Sequence, residues 1–76
     1  MADEVDWEAR VKGLLKAELK RRGIKYRDLA EKLAVVGVTE NEANIRNKLA
    51  RGSFTAVFLV QCLEAIGARE VRLDWS

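Results

Sequence analysis

Residues 39–52 read TENEANIRNKLARG, and the fold turns on how this stretch is read. Thr39 stands where an N-cap belongs: its hydroxyl can accept the backbone N–H three residues on while Glu42 reaches back, the capping-box spacing. Gly52 supplies the left-handed residue that commonly closes a helix. At about 100° per residue, Ile45 and Leu49 fall on one side with Glu42 at its edge, and Glu40, Ala43, Asn44, Asn47, Ala50 and Arg51 fall on the other. The spacing predicts a helix over about 40–51, with a narrow apolar stripe inward and amide and guanidinium groups outward.

Asn and Arg carry planar donor and acceptor pairs that match adenine and guanine edges in the major groove, and Ala can touch a thymine methyl without holding the backbone away. The outward residues therefore suit a helix that reads DNA. The same residue types also make an ordinary hydrated face. Glu40 opposes phosphate contact, although it suits the positive end of a helix dipole.

The 76 residues make one expected domain, close to the lower size at which a chain folds without staples. With one cysteine, Cys62, and no histidine, an internal disulfide, zinc sites of the usual kind and Ser-His or Cys-His nucleophile pairs are excluded. No paired catalytic constellation is visible, so neither an enzyme, a metal nor a cofactor is expected. No apolar run approaches the roughly 20 residues that span a bilayer, which argues against a membrane partner. The acidic start MADEVDWEAR lacks the apolar core of a secretory signal, and a cytoplasmic location is expected. The net charge of +2 is unevenly spread: residues 1–9 hold four acids and no base, whereas residues 10–32 hold nine bases against Glu18, Asp28 and Glu31. A basic block ahead of an Asn/Arg helix fits an electrostatic footprint on phosphates, and equally a lysine-rich solvated helix.

The first helix is expected over about 4–22, starting near Asp3 or Glu4, with Trp7, Val11, Leu14, Leu15 and Leu19 as its buried stripe. Glu18 falls inside that stripe and calls for a partner such as Arg22 one turn on. Gly23 ends this helix and Ile24 plugs the corner. A second helix is expected over about 26–35, with Leu29, Ala30 and Leu33 inward, and the short link makes the first two helices neighbours. Gly37, between Val36 and Val38, is expected at positive φ in a bend that buries its apolar flanks.

Ser53 reads as the N-cap of a fourth helix over about 54–66. Phe54, Val57, Phe58, Val60, Leu63 and Ile66 make it the most apolar element, with Cys62 a small core residue. The tail Glu70-Val71-Arg72-Leu73-Asp74-Trp75 alternates strictly, which predicts a short strand over about 69–75. Pairing of two such strands about a twofold axis would make a homodimer with Val71, Leu73 and Trp75 as its candidate residues. A tail that merely packs on its own domain fits the pattern equally well. The expected fold is all-α, a four-helix helix-turn-helix domain with a short C-terminal β-strand.

Gly23-Ile24, Leu29-Ala30-Glu31-Lys32-Leu33, Gly37-Val38-Thr39, Ile45 and Arg51-Gly52, taken in order, resemble the Cro/repressor-like helix-turn-helix pattern of glycine corner, LAxxL helix, GVS/T turn and RG-terminated recognition helix. Residues 14–73 are more closely similar to a family of short uncharacterised bacterial proteins carrying ANIRNKLARG and FLxQCLEAIG, which supplies a fold expectation and no mechanism. The repressor resemblance implies that the third helix enters the major groove while the start of the second approaches a phosphate. Two departures leave the docking register open. The link before Gly37 is longer than usual, and Lys25-Tyr26 stands where the broader family typically has Thr-Gln.

The first functional expectation is a DNA-binding module, a small dimeric transcriptional regulator. Asn44, Asn47 and Arg51 are its candidate base readers; Lys25, Tyr26, Arg27, Arg46 and Lys48 are its candidate phosphate contacts. Two protomers would set their recognition helices roughly 34 Å apart on double-stranded DNA. The rival is a protein–protein interaction domain on the same scaffold without DNA binding, favoured by the acidic N-terminus and the weak net charge.

Overall fold

A computed structural model describes residues 5–73. Its elements run α1 (Trp7–Arg21), α2 (Tyr26–Val35), α3 (Glu42–Arg51) and α4 (Ala56–Ile66). Each helix contributes an i, i+4 ridge to a common core: Leu15 and Leu19, Leu29 and Leu33, Ile45 and Leu49, and Phe58, Cys62 and Ile66. Such pairs lie one above the other on a helix, and each buried Leu, Ile or Phe contributes about 1.5–3 kcal/mol of apolar transfer. The ridge of α1 lies against α3 and α4, and that of α2 against the same two helices.

The short link at Gly23 does not make α1 and α2 packed neighbours. Among the described residues they meet only at the corner, where Ile24 N–H donates to the Leu19 carbonyl and Gly23 takes φ 65°. Each helix has a better apolar surface available on α3 and α4 than on the other.

The expected C-terminal strand is absent: residues 69–73 carry no β structure, while Asp74 and Trp75 lie outside the described residues. Alternation along one short tail cannot form a ladder, because no second strand exists among the described residues to accept its backbone groups. Val71 is exposed, as is Leu73, at 67%.

Two helix starts also differ from the sequence reading. Asn41, not Thr39, caps α3, its Oδ1 accepting from the Asn44 N–H at 2.8 Å. Thr55, not Ser53, caps α4, its hydroxyl accepting from the Phe58 N–H at 3.0 Å. Both stretches offer two suitable cap residues two positions apart, and packing chooses between them. Glu40, ahead of the α3 cap, reaches Lys48. Phe54, ahead of the α4 cap, meets Phe58 edge to face with centroids 5.5 Å apart. Asp6 caps α1 by accepting from the Ala9 N–H, so that helix begins at Trp7.

Trp7 is 61% exposed rather than buried, because Leu15 and Leu19 define the inward side of α1 and Trp7 points elsewhere. Glu18 is buried and held by Arg22, with Arg21 Nη1 at 3.2 Å from its other oxygen. Gly37 has φ 84° and follows α2 as expected; Val38 packs against the core, whereas Val36 stays exposed. No helix among the described residues is long and apolar enough to cross a membrane.

Candidate nucleic-acid interface

The outward face of α3 is fixed from behind and from both ends. Ile45 and Leu49 are fully buried, Asn41 satisfies the first turn, and Gly52 closes the last at φ 76° with its N–H donating to the Lys48 carbonyl. α1 adds a further clamp: Lys12 Nζ donates to the Ala50 carbonyl at 2.9 Å, completing an acceptor in the last turn that the helix itself leaves open. Gly52 is buried, and a Cβ there would stand 2.5 Å from the Glu8 carbonyl oxygen.

On this rigid element Asn44, Asn47 and Arg51 are all exposed. Their three- and four-residue steps put them on one face, one above another. Exposed Ala43 and Ala50 flank them and leave the backbone approachable. Such a face can present two amides and a guanidinium to one partner surface.

The two other α3 cations are placed differently. Arg46 Nη2 lies 2.8 Å from the Glu42 carboxylate one turn back, in an exposed pair. Lys48 Nζ lies 2.5 Å from Glu40 and 4.4 Å from the centroid of the Phe58 ring. Lys48 thus ties residues 36–41 to α3 and α4, and its charge is partly neutralised. Cys62 is buried in the core near this pair, where burial, helped by Glu40 and opposed by Lys48, pushes its thiol up to about 12.

The remaining phosphate candidates gather at the start of α2. Lys25 and Arg27 are exposed there, while Tyr26 is half-buried and packs against the core. The Asp28 carboxylate accepts the Lys25 N–H at 3.1 Å, occupying one of the donors at this helix end. α2 and α3 pack on each other, joined by residues 36–41, a longer connection than the three or four residues common in helix-turn-helix pairs. Of the dimer candidates, Val71 and Leu73 are exposed and Trp75 lies outside the described residues.

Sequence reasoning missed Glu40 and Lys12 among the residues that set the pose of α3, and it read Gly52 as the helix stop without the close approach of α1. Glu40 and Lys48 are two turns apart across a helix start, and Lys12 comes from a distant helix, so no local spacing signals either. Asn41 was missed as well, because Thr39 offers an equally good cap by local spacing and only the fold shows that Asn41 accepts the Asn44 N–H.

No curated protein matches the chain, and no solved structure matches it. Residues 7–71 match the family described as a domain of unknown function, DUF6471, an extent that takes in all four helices. With that match covering most of its 76 residues, the chain belongs to the DUF6471 family.

Proposed function

We propose that the chain is a DNA-binding module that reads the major groove with α3, Asn44 and Asn47 addressing adenine edges and Arg51 a guanine edge. The observation that carries this reading is the shared exposure of these three side chains on one face of a helix whose opposite face carries the fully buried Ile45 and Leu49. Lys25 and Arg27 at the start of α2 supply phosphate contacts that set orientation without reading sequence. The small net charge calls for modest affinity with a shallow salt dependence.

Titration of duplex DNA at several salt concentrations tests it. Binding that weakens as salt rises, and whose sequence preference relaxes in Asn47→Ala and Arg51→Ala, is the expected result. Absence of binding near about 50 mM salt, where phosphate neutralisation is strongest, would remove the reading.

One observation favours a protein partner instead. Glu42 and Glu40 neutralise Arg46 and Lys48, the two cations that would otherwise strengthen phosphate contact along α3. Under this second reading the same amide-rich face meets a protein surface, and the two alanine variants leave nucleic-acid behaviour unchanged.

A further inference from the structure

Lys12, Lys16 and Lys20 follow one another at four-residue steps, which stacks them in a single row along α1. Both ends of the row touch elements of the candidate interface. Lys12 Nζ donates to the Ala50 carbonyl in the last turn of α3. Lys16 and Lys20 line a shallow groove of about 270 Å³ with Leu19, Ile24 and Tyr26, the first residue of α2. Exposed Lys25 and Arg27 flank Tyr26 and carry the positive charge around that corner. Among the described residues no carboxylate pairs with Lys16, Lys20, Lys25 or Arg27, whereas Arg21, Arg22, Arg46 and Lys48 each have one. No acid stands three or four residues from Lys16 or Lys20 in either direction. Each of these ammoniums instead has a like charge one turn away, a cost that an ordinary solvated helix avoids by placing acids at those steps. A bound anion would remove that cost.

We infer that Lys16 and Lys20 grip the phosphate backbone of a bound duplex, with one strand passing from the last turn of α3 along α1 to the start of α2. The inference rests on the DNA-binding reading and adds a third element to it. From Lys12 to Lys20 is roughly 12 Å of helix, a length over which one strand presents about three or four phosphates. Lys12 is committed to the Ala50 carbonyl, which leaves two ammoniums for that stretch. The row begins beside Arg51, a proposed base reader, and ends beside Lys25 and Arg27, the proposed phosphate contacts. That continuity selects nucleic acid over an acidic protein, because a duplex seated on α3 meets the row without a break. Both lysines act as point charges, so they hold the strand without reading its sequence.

Fluorescence anisotropy of the full chain with duplex probes over a range of salt is the test. Lys16→Gln/Lys20→Gln should weaken binding about tenfold at roughly 0.1 M salt, equally for every duplex sequence, and reduce the slope of log affinity against log salt by about two. The fold should stay intact, since the change relieves like-charge contacts. Lys16→Arg/Lys20→Arg should bind as the parent does. Arg69→Gln/Arg72→Gln, which removes the same charge from the exposed tail, should change the slope far less. If the parent binds and the row variant loses no more than the tail variant, the inference is overturned and the DNA-binding reading stands. If the row variant loses affinity while Asn47→Ala and Arg51→Ala leave sequence preference unchanged, the reading of α3 fails and the row remains a phosphate site. Polyglutamate that competes as well as duplex would assign the row to an acidic protein and overturn the inference. A parent with no affinity for duplex removes both.

Discussion

The backbone carbonyl of Glu8 lies where any side chain on Gly52 would have to go: a Cβ at Gly52 would stand 2.5 Å from that oxygen and 3.2 Å from Lys12 Cδ. Gly67 has almost the same backbone, φ 77° against 76°, yet has nothing within 4 Å of its Cβ position. The pair separates the steric contribution from the conformational one. Gly67→Ala should cost about 1 kcal/mol for the left-handed backbone alone. Gly52→Ala should cost about 2 kcal/mol or more, because backbone rather than a flexible side chain must give way. Thermal unfolding resolves the difference, at roughly 4–8 °C per kcal/mol for a chain this size.

Asn41→Ala should destabilise the protein by about 1 kcal/mol, since it leaves the Asn44 N–H without its acceptor. Thr39→Ala, two residues earlier, should be nearly neutral. Urea unfolding of both variants checks this. Equal losses would mean that the helix starts earlier than Glu42.

Glu42→Ala should tighten non-specific DNA binding a few-fold and steepen its salt dependence, because it releases Arg46 from its exposed carboxylate partner. Its effect on stability should stay below about 1 kcal/mol, as for most exposed ion pairs. Arg46→Ala should matter less for affinity than Arg27→Ala, which removes a cation exposed at the start of α2. Fluorescence anisotropy with duplex probes at several salt concentrations reads all three.

Cys62 should resist thiol reagents in the native protein at pH 8 and react once urea unfolds it, since its thiol is pushed up to about 12 by burial. The linkage has a definite sign. Above pH 9 the unfolded thiol ionises while the folded one stays protonated, so the unfolded state binds fewer protons and stability falls as pH rises towards 12. The contribution is complete below pH 9. Cys62→Ala removes this dependence, and its stability deficit relative to the parent should narrow above pH 9 in matched urea titrations.

The sequence spelled out α2 to the residue, because Leu29 and Leu33 repeat at helical spacing between two glycines that stop the chain. Glu18 and Arg22 were equally legible, since a carboxylate on an inward stripe requires a cation one turn away. Thr39 and Ser53 misled because a good cap residue is a local signal, and the choice between neighbouring caps rests with packing from elsewhere in the chain. Trp7 misled for a related reason: hydrophobicity marks a residue as costly to expose without saying which side of a helix the fold will cover. The tail alternation in Val71 and Leu73 was real in the sequence, but a strand is a property of two segments, and among the described residues no second one pairs with it. For the outward face of α3, chemistry and direction were readable from Asn44, Asn47 and Arg51; the tethering of Lys48 by Glu40 was not, since it depends on how residues 36–41 fold back.

Gly52 ends one helix and serves as the bed of another, so the two cannot be tuned separately. Arg51, its immediate neighbour, takes its aim from the first turn of a helix some forty positions earlier in the chain. Under the proposed function, substitutions along the outer side of α3 would alter what is recognised at little cost to the scaffold. A change at this one small residue would instead re-point the whole outer face at once, since the end of α3 and the first turn of α1 would have to part together.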